Sequence, residues 1–535
     1  MADSSKKQTF LHGAALLALA TAVVKLIGAF YKIPLKMIIG DQGYGYFITA
    51  YDVYSVLLLI STAGLPVAMS RMISQANALG NSNQVRRVYK TARLIFLGLG
   101  IVSSAFMVLG SNWLANEVLM QPNAATAIAC LGPCALFMGI ISTFRGFFQG
   151  QGNMRPTSQS QVLEAFFKLI IGLGLAYVLT ARYNSVPLAA GGAILGVTCS
   201  CLISAVFLYA KFRPAYKELP RAEDAPLSYG TTAKSLLAIA VPITIGSAGL
   251  QLLTVLEQKL YMSQLLTTNG LSQNVADTMK GIYSMTMTIY NMPCSFIVPI
   301  AISVIPAIAS NLTLGNDSSV RETEESAARI AGLISLPCAV GLCLLARPIM
   351  ALLGDYTGPN LELATSLMRV LGVCVFLYAI IQYTNALLQA HGFAHIPVIN
   401  MLLAGGCKLV VVYILVGNPQ IGILGAPIGS LLGYSAIAAM NLLAIGKMVP
   451  QKPALLKNLL RPLLAALVMG VAVFIAEQAL IWLLGVDGSR VILCGVPILV
   501  GVAVYLLMVV KRRVITRQDC CLLPKGEKLA KLLRL

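Results

Sequence analysis

Long apolar stretches alternate with short polar ones along the whole chain. Wound as a helix at about 1.5 Å per residue, a run of about 20 apolar residues spans the roughly 30 Å hydrocarbon layer of a bilayer. Fourteen such runs are read, near 11–38, 45–67, 91–114, 124–148, 159–181, 187–210, 235–262, 281–308, 327–346, 362–389, 396–416, 421–446, 458–484 and 490–510. Alternating segments of about ten residues, the mark of a membrane β-barrel, are not what the chain shows. The pattern predicts an all-α polytopic membrane protein with 14 transmembrane helices. The first run follows Lys6 and Lys7 as a signal peptide would, but it is long and carries lysines, so it reads as a retained helix.

Composition agrees. Of 535 residues, 57% are hydrophobic and 11% charged, and mean hydropathy is +0.80. The formal charge of +19 would suggest nucleic acid in a soluble protein. Here the basic residues gather in loops on one side, where they set topology and meet anionic inner-leaflet lipid, and nucleic acid is not an expected partner. That side holds Arg71, Arg86, Arg87, Lys90, Arg155, Lys211, Arg213, Lys217, Arg221, Lys447 and the tail Lys511-Arg512-Arg513. The opposite loops hold Arg182, Lys280, Arg347 and Arg490. Both termini are therefore expected in the cytoplasm.

A weak internal repeat is present. At an offset of 240, Gln149, Gly152, Lys168 and Leu169 recur as Gln389, Gly392, Lys408 and Leu409, and Pro66 and Ser70 as Pro306 and Ser310. Six spans apart, the paired segments keep their orientation, which predicts parallel repeats. The expected organisation is two pseudo-symmetric six-helix lobes plus two C-terminal helices. An N-terminal lobe covers 1–222, a C-terminal lobe 223–450, an extra helix pair 451–510 and a basic cytoplasmic tail 511–535. The polar, proline-rich stretch KFRPAYKELPRAEDAPLSYG is the linker between lobes.

Polar residues stranded inside apolar runs carry the functional signal, because a charge at bilayer depth costs about 2.5–3.5 kcal/mol or more. Lys25 and Lys32 lie seven residues apart and share one helix face. They fit a wet cavity that captures an anion such as a diphosphate; snorkelling or pairing with an acid is the other reading. Asp52 suits either an ion pair with those lysines or cation binding. Glu164 and Lys168, acid first and four apart, suit a helical salt bridge. Arg145 reaches either headgroups or a phosphate. Glu257 and Lys259, two apart, face different ways. Lys25, Lys32, Asp52, Arg145, Glu164, Lys168, Glu257 and Lys259 form the candidate substrate-binding set.

The twelve cysteines sit mostly in apolar runs at spacings that fit no zinc site, and the three histidines are scattered, so no metal is expected. No phosphate-binding loop, HExxH or GxSxG motif is found, which argues against an ATPase or hydrolase. No cofactor is expected beyond coupling to a monovalent ion or the membrane potential.

The end of the second span, LPVAMSRMIS, and the turn RGFFQGQGNMRPTSQSQVLE resemble the multidrug/oligosaccharidyl-lipid/polysaccharide (MOP) exporter superfamily, in its stage V sporulation protein B and MurJ-like branch. The resemblance covers nearly the whole chain. It implies a flippase that moves an undecaprenyl-diphosphate-linked saccharide, foremost the peptidoglycan precursor lipid II, across the bacterial cytoplasmic membrane by alternating access. It implies a cationic central cavity, with Lys25 at the first basic position and Lys32 beside the second. At the basic positions of the second and eighth helices this chain has the uncharged Leu58 and Thr288. A monomer that works beside cell-wall synthesis proteins is expected. An organic-cation antiporter on the same fold is the runner-up reading. A scaffold for envelope assembly or a membrane-embedded enzyme is the third.

Overall fold

The computed structural model describes residues 2–62, 64–220, 224–313, 315–450, 454–485, 488–512 and 514–516. Among them the regular elements are helices: α1 (Ala2–Thr62), α2 (Leu65–Ala78), α3 (Ser82–Leu109), α4 (Ser111–Trp113), α5 (Ala125–Gly150), α6 (Arg155–Tyr183), α7 (Val186–Lys217), α8 (Tyr229–Ser263), α9 (Gln273–Thr313), α10 (Asp317–Leu344), α11 (Ala346–Leu353), α12 (Gly358–Ala390), α13 (His395–Gly417), α14 (Gly425–Met448), α15 (Leu455–Leu484) and α16 (Arg490–Lys511). Each of the fourteen apolar runs falls on one or more of these helices. Among the described residues, ten helices are long and apolar enough to cross a membrane. Of the basic tail, residue 513 and residues 517–535 lie outside the described residues.

Two boundaries differ from the sequence expectation. The first two runs share the single element α1, bent at Gly40, whose φ of 69° and ψ of −177° lie outside the helical range. Glycine, lacking a Cβ, takes this conformation without clash. The second run breaks at Gly64, and Pro66 then sits in the first turn of α2, where its missing N–H costs nothing.

The chain divides into two compact units, Met1–Leu266 with Leu271–Gly281, and Thr267–Gly270 with Ile282–Leu535. In the first, α5 packs on α1, α2, α3 and α7; α6 lies along α7; and α8 packs on α1, α2 and α3. In the second, α12 packs on α10, α11 and α14, α13 lies along α14, and α15 joins α10 to α16. The pairings α3–α5, α5–α7 and α6–α7 thus recur as α10–α12, α12–α14 and α13–α14.

The turns recur too. After α5, Gly152 (φ 75°) closes the helix, with Gly152 N–H donating to Gln149 O and Asn153 N–H to Phe148 O. After α12, Gly392 (φ 86°) does the same, with donations to Gln389 O and from Phe393 N–H to Leu388 O. Before α3, Asn81 N–H bonds Ala76 O beside the positive-φ Gly80; before α10, Asn316 N–H bonds Asn311 O beside the positive-φ Gly315. These are left-handed helix ends, which satisfy carbonyls that the helix leaves open.

The packing surfaces are those of membrane helices. Small residues let backbones meet: a Cβ added at Gly196 of α7 would fall 2.3 Å from Gly172 Cα of α6. Large apolar side chains point outward instead of inward, among them Leu109, Trp482 and Leu499. In water such a surface would aggregate; in lipid it is the solvated face.

Candidate functional site

The polar residues of the first unit converge from α1, α6, α8, the segment before α5 and the start of α9. Thr49 is fully buried in the second arm of α1. Its hydroxyl receives Lys280 Nζ, donates to Gln121 Oε1, and accepts from Gln258 Nε2 at 3.2 Å. Gln121 in turn donates to Asp277 Oδ1 at 2.8 Å. Gln273 donates to the same oxygen at 3.0 Å, and the Tyr46 hydroxyl donates to Asp277 Oδ2 at 2.8 Å. Asp277 is fully buried and Lys280 is 1% exposed. The carboxylate is thus met by three donors, which is what keeping a buried charge requires.

This network corrects the sequence reading. Lys280 was expected in an outer loop. The helix α9 begins at Gln273, so Lys280 lies two turns inside it and on its buried face. Asp277, Tyr46, Gln121 and Thr49 were not singled out at all. The signal that points to them is the i, i+4 trio Gln273, Asp277 and Gly281, placing an acid and a small residue on one face. Gly281 lies close against Asp41, whose carbonyl would be 1.9 Å from a Cβ at that position.

Beside the network lie Asp52 and Lys32, both half-buried. The charges acting on Asp52 are Lys280 first, then Lys32, with Glu257 opposing. Among the described residues neither Asp52 nor Lys32 has an ion-pair partner within 4.0 Å. The strongest charge acting on Lys32 is another cation, Lys168 of α6, ahead of Asp52. Lys168 Nζ stands 5.7 Å from the centroid of the buried Tyr31 ring, a cation–π distance.

The expected pairing of Glu164 with Lys168 is replaced. Glu164 Oε2 accepts from Arg145 Nη2 at 3.0 Å, while Arg145 Nε donates to Ser160 at 3.1 Å. Arg145 points across from α5, and its planar fork reaches two acceptors on α6 that a lysine on the same helix would not bridge. Among the described residues Lys168 has no carboxylate within 4.0 Å. Glu257 is buried (8%) and Lys259 exposed, as their spacing of two predicts. Lys25 lies on the first arm of α1, and its side chain is outside the described residues. Lys36 pairs with Asp41 at 3.4 Å near the Gly40 bend.

The second unit holds a different polar set. Asn441, fully buried on α14, donates to Thr384 Oγ1 (3.0 Å) and Asn385 Oδ1 (2.8 Å) and accepts from Asn400 at 2.8 Å. These groups are neutral. Among the described residues no group of three or more histidine, cysteine, aspartate or glutamate side chains is arranged to hold a metal.

The family model described as Polysaccharide biosynthesis protein matches residues 10–312, more than half of the chain. The chain belongs to this family. It is a membrane transporter of the MOP superfamily, and the MatE model matches residues 254–414. Stage V sporulation protein B of Bacillus subtilis (strain 168) is 24% identical over 451 residues, 83% of this chain and 85% of that protein. Lipid II flippase MurJ of the same organism is 23% identical over 519 residues, 93% of this chain and 94% of that protein. The solved structure "Lipid II flippase MurJ, inward closed conformation" superposes with a TM-score of 0.66 at 14% identity, covering 92% of this chain and 98% of its own. At that identity the superposition speaks for the fold.

Proposed function

We propose that this family member is a flippase for an anionic, diphosphate-bearing lipid-linked saccharide in the bacterial cytoplasmic membrane, with lipid II as the leading cargo. One observation carries the reading. Lys168 of α6 stands over the ring of Tyr31, the neighbour of Lys32 on α1, close enough to act on Lys32 as a like charge, and neither lysine is ion-paired among the described residues. Two half-buried ammonium groups within electrostatic reach of each other repel, and an oxyanion bound by both removes that repulsion. Phosphate oxygens carry the charge to do so, and the apolar outer faces of the helices suit an isoprenoid tail. Lys168 takes over part of the positive charge that Leu58 and Thr288 do not supply. Lys25 belongs to this reading by sequence. The work of Arg145 is to hold Glu164 away from Lys168.

A second reading, an organic-cation antiporter, is favoured by the MatE match and by the carboxylates Asp52 and Glu257. The test uses proteoliposomes loaded with undecaprenyl-diphosphate-linked saccharide, scoring how fast the headgroup appears in the opposite leaflet. The double variant Lys32→Ala/Lys168→Ala is expected to slow flipping roughly tenfold or more, equivalent to at least about 1.4 kcal/mol, with the protein still folded. Lys168→Arg keeps part of the rate. An unchanged rate in the double alanine variant overturns the anion site. Cation efflux that survives that variant and disappears in Asp52→Asn establishes the second reading in its place.

A further inference from the structure

The second unit contains one more set of buried ionisable groups, which the reading above does not use. Glu324 is fully buried on α10, and its Oε1 lies 2.7 Å from His391 Nε2 at the end of α12. The two side chains are 0% and 5% exposed. The other carboxylate oxygen, Oε2, is buried and has no hydrogen-bond partner among the described residues, and the same holds for the hydroxyl of Tyr383, about two turns before His391 on α12. Tyr383 is within electrostatic reach of Glu324 and Glu325.

We propose that Glu324, His391 and Tyr383 form a proton-binding latch that ties the ends of α10 and α12 together when it holds a proton and releases them when it does not. The charge arithmetic sets the direction. With neutral imidazole and ionised carboxylate the pair carries one negative charge, buried, on a group with a single hydrogen bond. One added proton makes the pair neutral overall, whichever atom carries it, and the 2.7 Å bond becomes charge-assisted or acid-to-imidazole. Burial therefore favours the protonated pair over the anion.

Little else on neighbouring elements competes for this role. On α10, Glu325 is the other charge acting on Glu324, and it is itself bonded to Arg321 and to the Ala454 N–H at the start of α15. Arg329 is bonded to Ser326 and to Asn458 of α15. Ile445 of α14 and Val449 just after it reach this core, while Lys447 is exposed. His395 is exposed as well. Glu324 and His391 lie just beyond the apolar runs 327–346 and 362–389, where a proton can arrive from water.

The packing beside the pair has slack. A cavity of about 20 Å³ lies between α9, α10 and α12, lined by Ala327, Ala331, Val304, Tyr383 and Ala386 among others. Alanines around a void let α10 and α12 change their spacing at small cost. In the first unit the corresponding places hold no such pair. The offset of 235 between the Asn81 and Asn316 turns sets Tyr89 where α10 has Glu324, and the offset of 240 sets Gln151 where α12 ends in His391.

The test needs neither substrate nor transport, so it stands apart from the flippase reading. Thermal unfolding of the full chain in detergent is followed from about pH 6 to about pH 8, the window in which histidine pairs titrate. The folded pair keeps a proton that the unfolded chain has lost, so stability falls as pH rises. The wild-type Tm is expected to drop by a few degrees across this range, and Glu324→Gln is expected to abolish that slope while keeping the low-pH Tm. A flat wild-type profile, an unchanged slope in Glu324→Gln, or a variant equally destabilised at every pH overturns the latch. If the variant does not fold, ¹⁵N-histidine NMR of the wild type decides. The His391 ring signals, assigned by their loss in His391→Gln, must change with pH, whether the ring gains the proton or its hydrogen bond changes as Glu324 gains it; ring signals constant from about pH 5 to about pH 9 overturn the proposal.

Discussion

In the first unit, Tyr89 of α3 stacks on Phe212 of α7 with ring centroids 4.5 Å apart, and Phe147 of α5 closes edge-on at 5.8 Å. In the second unit the place reached by the same turn geometry is Glu324, bonded to His391. One junction is sealed by rings and does not titrate near neutral pH. The other is sealed by a group that does. The polar hubs differ in the same sense: Thr49 gathers Lys280, Gln121 and Gln258 into a network that ends on a carboxylate, whereas Asn441 gathers only neutral amides and a hydroxyl. The helix pairings repeat, yet the ionisable chemistry is not duplicated. Backbone packing is what the repeat conserves within this chain, and each unit has filled it with its own charges.

Three substitutions test that contrast, the largest effect first. Lys280→Met leaves Thr49 without its strongest donor and Asp277 and Asp52 without their nearby cation. It is expected to cost about 3–5 kcal/mol, the usual penalty for orphaning a buried charge. Adding Asp277→Asn should return part of that loss in a double-mutant cycle read by thermal unfolding. The neutral counterpart Asn441→Leu is expected to cost less, about 1–3 kcal/mol, from unsatisfied hydrogen-bond partners. Equal losses would dissolve the distinction between a charged and a neutral hub.

The next effect comes from helix contact. Gly196→Ala drives a Cβ into the backbone of α6, which has nowhere to go, so about 3 kcal/mol of overpacking is expected. Gly429→Ala in α14 meets instead a methyl of Val412, 2.5 Å away, and a side chain yields more readily. About 1 kcal/mol is expected there. Yield of folded protein in membranes ranks the two.

The smallest effect should also be the most even. Gly152→Ala and Gly392→Ala each force a non-glycine residue into the left-handed region, at about 1 kcal/mol apiece. Unequal values would show that the two turns are held by different surroundings despite their shared hydrogen bonds.

Much of the fold was legible from the apolar runs alone, because a helix that faces lipid has no polar face to confuse the reading. All fourteen runs lie on helices. The repeat was legible at Gly152 and Gly392 because a left-handed helix end demands a particular residue. The site was legible only in part. Lys32 and Asp52 stand out as charges in apolar surroundings, but Lys280 hides at a helix start, where sequence cannot separate the last loop residue from the first buried turn. The partner of Glu164 was misread because spacing along one helix reveals i, i+4 neighbours and is blind to Arg145 reaching over from α5. His391 and Glu324 are 67 residues apart, and nothing local in either stretch announces the other.

The bend at Gly40 has a mechanical consequence. Lys32 rides on one arm of α1, and Thr49 and Asp52 ride on the other. A change in two backbone torsions of one residue resets the separation between that ammonium and that carboxylate without breaking a turn of helix elsewhere in the element. The first sixty or so residues act as a lever with a one-residue pivot. The gap between opposite charges can thus be opened or narrowed by swivelling the chain at Gly40, the glycine of this element whose backbone already lies outside the helical range.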